Sequence, residues 1–332
     1  MKLMVHFILG TAGFHINIKI GDSKMYKKGN PVSPAGGACF YYRFSWLHLT
    51  RPLTFTGTIS PVIVGTLFAA YQGSIRFDLF VAMLMASVLI QAATNMFNDY
   101  FDLLNGQDKE KWIVGEGIES VHGPAHHQLP YAAGALLTAA AIVGLWLAQQ
   151  SSFWIIPFGV LGILTGYAYS AGQHSFSSIG LGETVAAIFL GFVPASLAYF
   201  IQGYPINLLV FLIALPFALV ISTMILTNNL RDFKKDQGFR KTIAIIIGKR
   251  MGIRLLTFLL SFVYLLVMAM IYFQIISWYS VAALFAIPLA FRLRWSFRSG
   301  ASRAEEVKSM KIAALHHWTF SLLFIAGMLF GL

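Results

Sequence analysis

Hydrophobic residues in this chain come in blocks rather than in alternation. Nine apolar segments stand out, at about residues 53–73, 78–98, 130–149, 152–170, 181–201, 206–227, 253–274, 277–291 and 313–331. Most approach the length an α-helix needs to cross a hydrocarbon core of about 30 Å. Strands of a membrane barrel would instead alternate over segments of about 10 residues. The pattern predicts an all-α polytopic membrane protein with nine transmembrane helices. Tight connections ("YQGSIRFD", "QQSS", "QGYPIN", "QIIS") alternate with long polar ones at 99–129, 171–180, 228–252 and 292–312. All the long connections therefore fall on the side of the N-terminus.

Charge sharpens this arrangement. Of the 24 Lys and Arg residues, only Arg76 falls on the opposite side. The positive-inside rule then places the N-terminus and the four long loops in the cytoplasm and the C-terminus outside, with the cell (inner) membrane as the expected location. The chain is 57% hydrophobic and 11% charged, against about 25% charged for a soluble domain. Its net charge of +11 follows topology, so no nucleic acid is expected as a partner. A lone cysteine, Cys39, excludes an internal disulfide.

Residues 1–45 are unlike the rest. A charged start, a short apolar run and a Gly/Pro-rich stretch without a convincing cleavage site read as a disordered leader, or as sequence upstream of a start at Met25. Residues 46–332 form the expected helical domain.

Two polar clusters interrupt the apolar scheme. "NMFNDYFDLLNGQD" (95–108) closes the second segment and "TNNLRDFKKD" (227–236) closes the sixth. Asn95, Asn98, Asp99 and Asp102 are linked by steps of three and four, and Asn228, Asp232 and Asp236 by steps of four, so each set shares a helix face. One such cluster would serve equally well as a solvated or capped helix end. Two, at equivalent ends of even-numbered segments, converge on one cytoplasmic pocket and divide the chain into two similar halves. Carboxylate and amide oxygens suit a hard cation such as Mg²⁺, which commonly bridges to substrate phosphates. Arg231, Lys234, Lys235, Arg240 and Lys241 lie within or just after the second cluster, and Arg51 opens the first segment. Next to lipid, the combination suits a substrate with a diphosphate head and a hydrocarbon tail. A transporter is the competing class, because intramembrane charges also mark ion pathways; its acids would be expected near mid-span rather than at the segment ends.

These clusters resemble the two aspartate-rich motifs of the UbiA superfamily of intramembrane aromatic prenyltransferases. The resemblance covers about residues 44–332. It implies a nine-helix bundle of two pseudo-repeated halves that uses Mg²⁺ to hold a polyprenyl diphosphate. The first motif has Gly106 four residues after Asp102, with Asp108 two further on. That spacing is similar to the 1,4-dihydroxy-2-naphthoate prenyltransferase branch of menaquinone biosynthesis. "LTRPLTFTGTISPVIVGTLFA", "SSIGLGE" (ending in Glu183) and "NNLRDFKKDQGFRKTIAIIIGKR" resemble the same branch. The position four after Tyr169 is Gln173, where other branches carry a lysine.

The resemblance implies metal binding by Asn98, Asp99, Asp102, Asp108, Asp232 and Asp236. It implies a catalytic role for Asp99, Asp102, Asp232 and Asp236, and substrate binding by Arg51, Asn98, Asn228, Asn229, Arg240 and Lys241. The partners implied are a polyprenyl diphosphate, 1,4-dihydroxy-2-naphthoate and the lipid bilayer, with demethylmenaquinol formed on loss of CO₂. Siblings using 4-hydroxybenzoate, a tocopherol-type head group, haem or a chlorophyll precursor form the alternative. The loop with Gly115, Glu116, Gly117, Glu119, His122, His126 and His127 reads as a flexible interfacial segment. His316 and His317 read as interfacial too.

Overall fold

In the computed structural model the described residues are 39–115, 123–172 and 174–332. The leader up to residue 38, with Met25, lies outside them, as do Glu116, Gly117, Glu119, His122 and Gln173. Each apolar block becomes helix, because a block that cannot hydrogen-bond to solvent must satisfy its own backbone. After a short strand β1 (Cys39–Tyr42) come α1 (Trp46–Thr50), α2 (Thr56–Ala70) and α3 (Phe77–Leu104). Strand β2 (Trp112–Gly115) precedes α4 (Leu129–Gln150) and α5 (Ile155–Ala168). Next are α6 (Gly182–Ala186) and α7 (Val193–Phe200), joined through the π turn Ala187–Phe192, and then α8 (Leu208–Arg231). Two short helices follow, α9 (Phe233–Asp236) and α10 (Ile243–Ile247), then α11 (Lys249–Tyr272), α12 (Ile287–Trp295) and α13 (Arg303–Leu329).

Among the described residues, six helical stretches are long and apolar enough to cross a membrane, or seven if the bent pair Trp46–Thr54 and Thr56–Ala70 is one span. The expected segment at 152–170 contracts to α5, of 14 residues. That at 277–291 becomes a 3₁₀ stretch, Trp278–Ala286, leading into α12.

Helix α8 is the hub. Asn207 caps it by accepting from the Val210 amide at 3.1 Å, and Ile213, Phe217, Val220, Ile221 and Leu226 on it are buried. It packs against α2, α11, α13 and the π turn. Small residues let the backbones close up. A Cβ on Gly65 of α2 would stand 2.0 Å from the Ala195 carbonyl oxygen, and one on Gly191 would stand 2.6 Å from Ala218 Cα.

Three expectations change. The chain is mostly helical, but β1 pairs antiparallel with β2, Tyr42 facing Trp112; aromatic and β-branched residues ("CFYY", "WIVG") favour that pairing over helix. Strand β1 lies within the segment 1–45 that precedes the expected helical domain. His126 is not loose: its Nε2 donates to the Tyr100 carbonyl at 3.0 Å, and its ring stacks on Tyr100. His316 and His317 are not interfacial but wholly buried. Helix α13 starts ten residues before the apolar segment read from sequence, which carries both rings into the core, where His316 hydrogen-bonds Tyr264 at 2.7 Å.

Candidate functional site

Helix α3 runs unbroken through its polar cluster to Leu104, where Gly106 (φ 76°) turns the chain. Asn98, Asp99 and Asp102 are therefore held on rigid helix, while Asp108 lies beyond the turn in a left-handed conformation (φ 50°). Between α1 and the turn Pro52–Thr54, Arg51 also takes a left-handed conformation (φ 52°), uncommon for a residue with a Cβ. Its guanidinium reaches α3. Nη2 donates to Asn98 Oδ1 at 2.7 Å and to Asp99 Oδ1 at 2.8 Å. The second cluster is arranged differently. Helix α8 ends at Arg231, Asp232 caps it, and the extra turn α9 brings Asp236 round to the same side.

Between the clusters lies a cavity of about 780 Å³. Asn98, Asp102, Asp108, Asn228, Asn229, Asp232, Asp236, Arg51 and Arg240 all line it. Its opposite end is apolar, walled by Met83, Leu145, Phe158, Phe189 and Leu197, with Gly159 and Gly162 opening space on α5. One volume thus offers a charged head compartment and a dry tail compartment.

Two of the site residues named from sequence do not line the cavity. Asp99 is buried behind the cavity wall, its Oδ1 bonded by Arg51 and by Lys111 at 2.7 Å, its Oδ2 without a partner. Lys241 is exposed and not part of the lining, and its backbone amide donates to the Ser178 carbonyl.

Cations knit the two acidic clusters together. Arg240 pairs with Asp102, and Lys235 with Asp108 and Glu110. Lys111 bridges Asp99 to Asp108, at 2.7 and 2.6 Å. Arg231 and Arg303 both reach Asp232. Burial pushes the Asp108 carboxyl up, but the Lys111 and Lys235 ammoniums outweigh it and hold the group well below the usual carboxylate range. Asp236 forms no ion pair among the described residues, and burial pushes it up to about 6. Burial opposes the charge of Arg240, yet the Asp102 and Asp236 carboxylates hold it above the ordinary arginine value.

Carboxylate oxygens of Asp99, Asp102 and Asp108 lie within 4.8 Å of one another. This all-oxygen donor set, with an unpartnered buried oxygen on Asp99, fits a hard divalent cation. Sequence reasoning missed Lys111 and Arg303. Lys111 had a local signal, three residues after Asp108; Arg303 had none, standing 71 residues from Asp232. Glu183, which closes the motif "SSIGLGE", accepts at Oε1 from Asn229 Nδ2 at 2.8 Å and so orients a cavity amide.

The chain resembles several known proteins. The chain is 30% identical over 282 residues to the 1,4-dihydroxy-2-naphthoate octaprenyltransferase of Bacillus subtilis, covering 85% of this chain and 91% of that one. It is 26% identical to the enzyme of that name from Mycobacterium tuberculosis, over 86% of this chain and 97% of that one. To the UbiA prenyltransferase domain-containing protein 1 of Gallus gallus it is 28% identical, over 82% and 81%. Among solved structures, a UbiA homolog from Archaeoglobus fulgidus bound to DMAPP and Mg²⁺ has a similar fold, with a TM-score of 0.55 at 14% identity over 85% of this chain and 99% of that one. A digeranylgeranylglyceryl phosphate synthase matches with the same TM-score at 16% identity, over 85% and 97%. The UbiA prenyltransferase family matches residues 58–327, and with a charged compartment opening onto a dry one inside an apolar helical bundle, the chain belongs to that family as a multi-pass membrane prenyltransferase.

Proposed function

We propose that this enzyme transfers a polyprenyl group from its diphosphate to 1,4-dihydroxy-2-naphthoate, with loss of the ring carboxylate as CO₂, to give demethylmenaquinol. The observation that carries the reading is the facing of two carboxylate clusters across one cavity with an apolar far end. The naphthoate acceptor is supported by the name shared by the Bacillus and Mycobacterium relatives and by the spacing of the first motif.

Asn98, Asp99, Asp102 and Asp108 on one side, and Asp232 and Asp236 on the other, would hold Mg²⁺. When bound, the ions supply positive charge to a diphosphate, which binds and leaves more readily for it. Arg51, Lys111, Lys235 and Arg240 stand among those carboxylates and would turn their donors to phosphate oxygens as the donor substrate binds. Fixed donors aimed at the departing charge act most strongly where water is excluded. Asn228 and Asn229 would complete the polar wall, and Glu183 holds the Asn229 amide so that its Oδ1 stays free. The allylic C–O bond breaks with its electron pair on the diphosphate, and a ring carbon forms the new C–C bond. Attack at the carbon bearing the carboxylate lets CO₂ depart and restores aromaticity without removal of a ring proton. We assign the site to the cytoplasmic face from the distribution of Lys and Arg, within nine membrane segments in two related halves.

The test is prenyl transfer in vesicles. Purified enzyme receives geranylgeranyl diphosphate with either 1,4-dihydroxy-2-naphthoate or 4-hydroxybenzoate, and Mg²⁺ or EDTA. A Mg²⁺-dependent prenylated naphthoquinol with release of CO₂ supports the reading. Transfer to hydroxybenzoate alone overturns the acceptor, and EDTA-insensitive transfer overturns the metal.

A further inference from the structure

A second concavity lies at the same end of the molecule as the acidic clusters. It is about 680 Å³ in volume and sits between α12 and the start of α13. Its position is fixed by Arg303, which follows the α12–α13 turn and donates both to Asp232 and to the Arg231 carbonyl. Four cations line it, Arg292, Arg294, Arg298 and Lys308, against one carboxylate, Glu305. Only Arg298 is neutralised, by Glu305 at 2.6 Å. Arg294 Nε donates to the neutral Thr257 hydroxyl at 2.8 Å. Arg292 and Lys308 form no ion pair among the described residues.

Two aromatic side chains border these cations. Phe291 is 71% and Trp295 65% exposed, and the Arg298 guanidinium lies 5.2 Å from the Trp295 ring centroid. Exposed aromatics beside unpaired basic groups, at the end of membrane helices, mark the level where acyl chains meet headgroups. An acidic protein surface would match the charge but not the adjoining apolar rings. A soluble anion would leave Phe291 and Trp295 uncovered. The matching ligand has a phosphodiester for the cations and hydrocarbon for the rings.

We propose that the groove between α12 and α13 binds the headgroup of an anionic glycerophospholipid. Arg292 and Lys308 take the phosphate, and Phe291 and Trp295 flank the acyl chains. The lipid braces the turn 296–302 that carries Arg303 to Asp232, so bilayer charge tunes the neighbouring site without touching its substrates. This proposal is independent of which aromatic acceptor the enzyme uses.

The experiment compares the intact enzyme with the double variant Arg292→Gln/Lys308→Gln in nanodiscs of phosphatidylcholine, alone or with phosphatidylglycerol. Bound phosphatidylglycerol is counted by native mass spectrometry, and prenyl transfer and thermal midpoint are followed in parallel. Each basic side chain near an anionic surface is worth about a factor of five. The double variant should therefore hold phosphatidylglycerol about thirtyfold more weakly and match the parent in pure phosphatidylcholine. It should also lose any rise in midpoint and rate that the parent gains from the anionic lipid. The charge-conserving variant Arg292→Lys/Lys308→Arg should respond as the parent does. Undiminished phosphatidylglycerol binding by the double variant overturns the proposal. So does an equal rise in the parent's midpoint with inorganic phosphate at matched ionic strength, which would make the groove a simple anion site.

Discussion

Arg240 donates to Asp102 across the cavity, tying the loop after the second acidic cluster to the helix that bears the first, 138 residues away in sequence. Both side chains are nearly buried, so removing either strands the other's charge, which costs far more than the pair itself contributes. Arg240→Gln is expected to lower kcat/KM for the prenyl diphosphate by about 10²-fold or more, the scale of losing one fixed donor to developing charge. Arg240→Lys should recover part of it. Adding Asp102→Asn to Arg240→Gln should cost much less than the two single losses combined, since contacting residues are not additive. Steady-state kinetics of the four proteins check this, and strict additivity would sink the coupling.

Asp236 predicts a pH dependence. Burial raises its carboxyl to about 6, so below that pH a proton occupies the group that would take the cation. Mg²⁺ affinity should be flat above about pH 7 and fall by about tenfold per unit below pH 6, one proton being displaced per ion bound. Without the cation, the folded chain holds this proton more tightly than the unfolded chain does. The corresponding stability is present below about pH 4 and is lost as pH rises through 6. Asp236→Asn should abolish the pH slope of Mg²⁺ binding while raising the metal-free thermal midpoint at pH 8. Calorimetric Mg²⁺ titrations between pH 5 and 8 provide the check, and an unchanged slope in the variant would refute it.

The helical plan was legible because apolar blocks leave the backbone no alternative to helix, and the acidic clusters were legible because steps of three and four put their members on one face. What sequence hid is long-range pairing. Arg303 reaches Asp232 from the start of the last helix, and nothing in its neighbourhood marks it out. His316 and His317 read as interfacial for the same reason: the partner that admits His316 to the core, Tyr264, is 52 residues away. The pairing of Cys39–Tyr42 is hidden in the same way, because its mate lies beyond α3. Lys241, which the resemblance groups with Arg240, lies outside the cavity lining, a separation that two neighbouring positions in sequence do not reveal.

Glycine at 162 shapes the tail compartment. It lines the apolar end of the cavity, and a Cβ there would meet nothing within 4 Å. Gly162→Ala should be nearly silent. Gly162→Phe should fold but fill part of the compartment, lowering kcat/KM for geranylgeranyl diphosphate at least tenfold more than for dimethylallyl diphosphate, which needs only the head compartment. Competition between the two donors in one vessel reads the ratio directly. Equal losses for both would mean the tail runs elsewhere.

The strand pair supplies the last prediction, because it holds the loop that carries Asp108 and Lys111. The Tyr42 amide donates to the Pro124 carbonyl and the Arg43 amide to the Lys111 carbonyl, both at 2.9 Å. Tyr42 also packs edge-on against Trp112, which meets His126 in the same way. Gly123 passes so close that a Cβ would lie 1.7 Å from the Tyr42 carbonyl oxygen, a separation no small adjustment accommodates. Gly123→Ala must therefore shift the strand or the 123–125 segment. The helices do not depend on that contact, so their thermal midpoint should change little. Lys111 and Asp108, however, lose their fixed position, and KM for the prenyl diphosphate should rise by about tenfold with a smaller change in kcat, since the loop contributes mainly to holding the headgroup. Tyr42→Phe, which keeps the backbone bonds and the ring contact, should behave like the parent. A Gly123→Ala enzyme with unaltered KM would separate the strand pair from substrate binding.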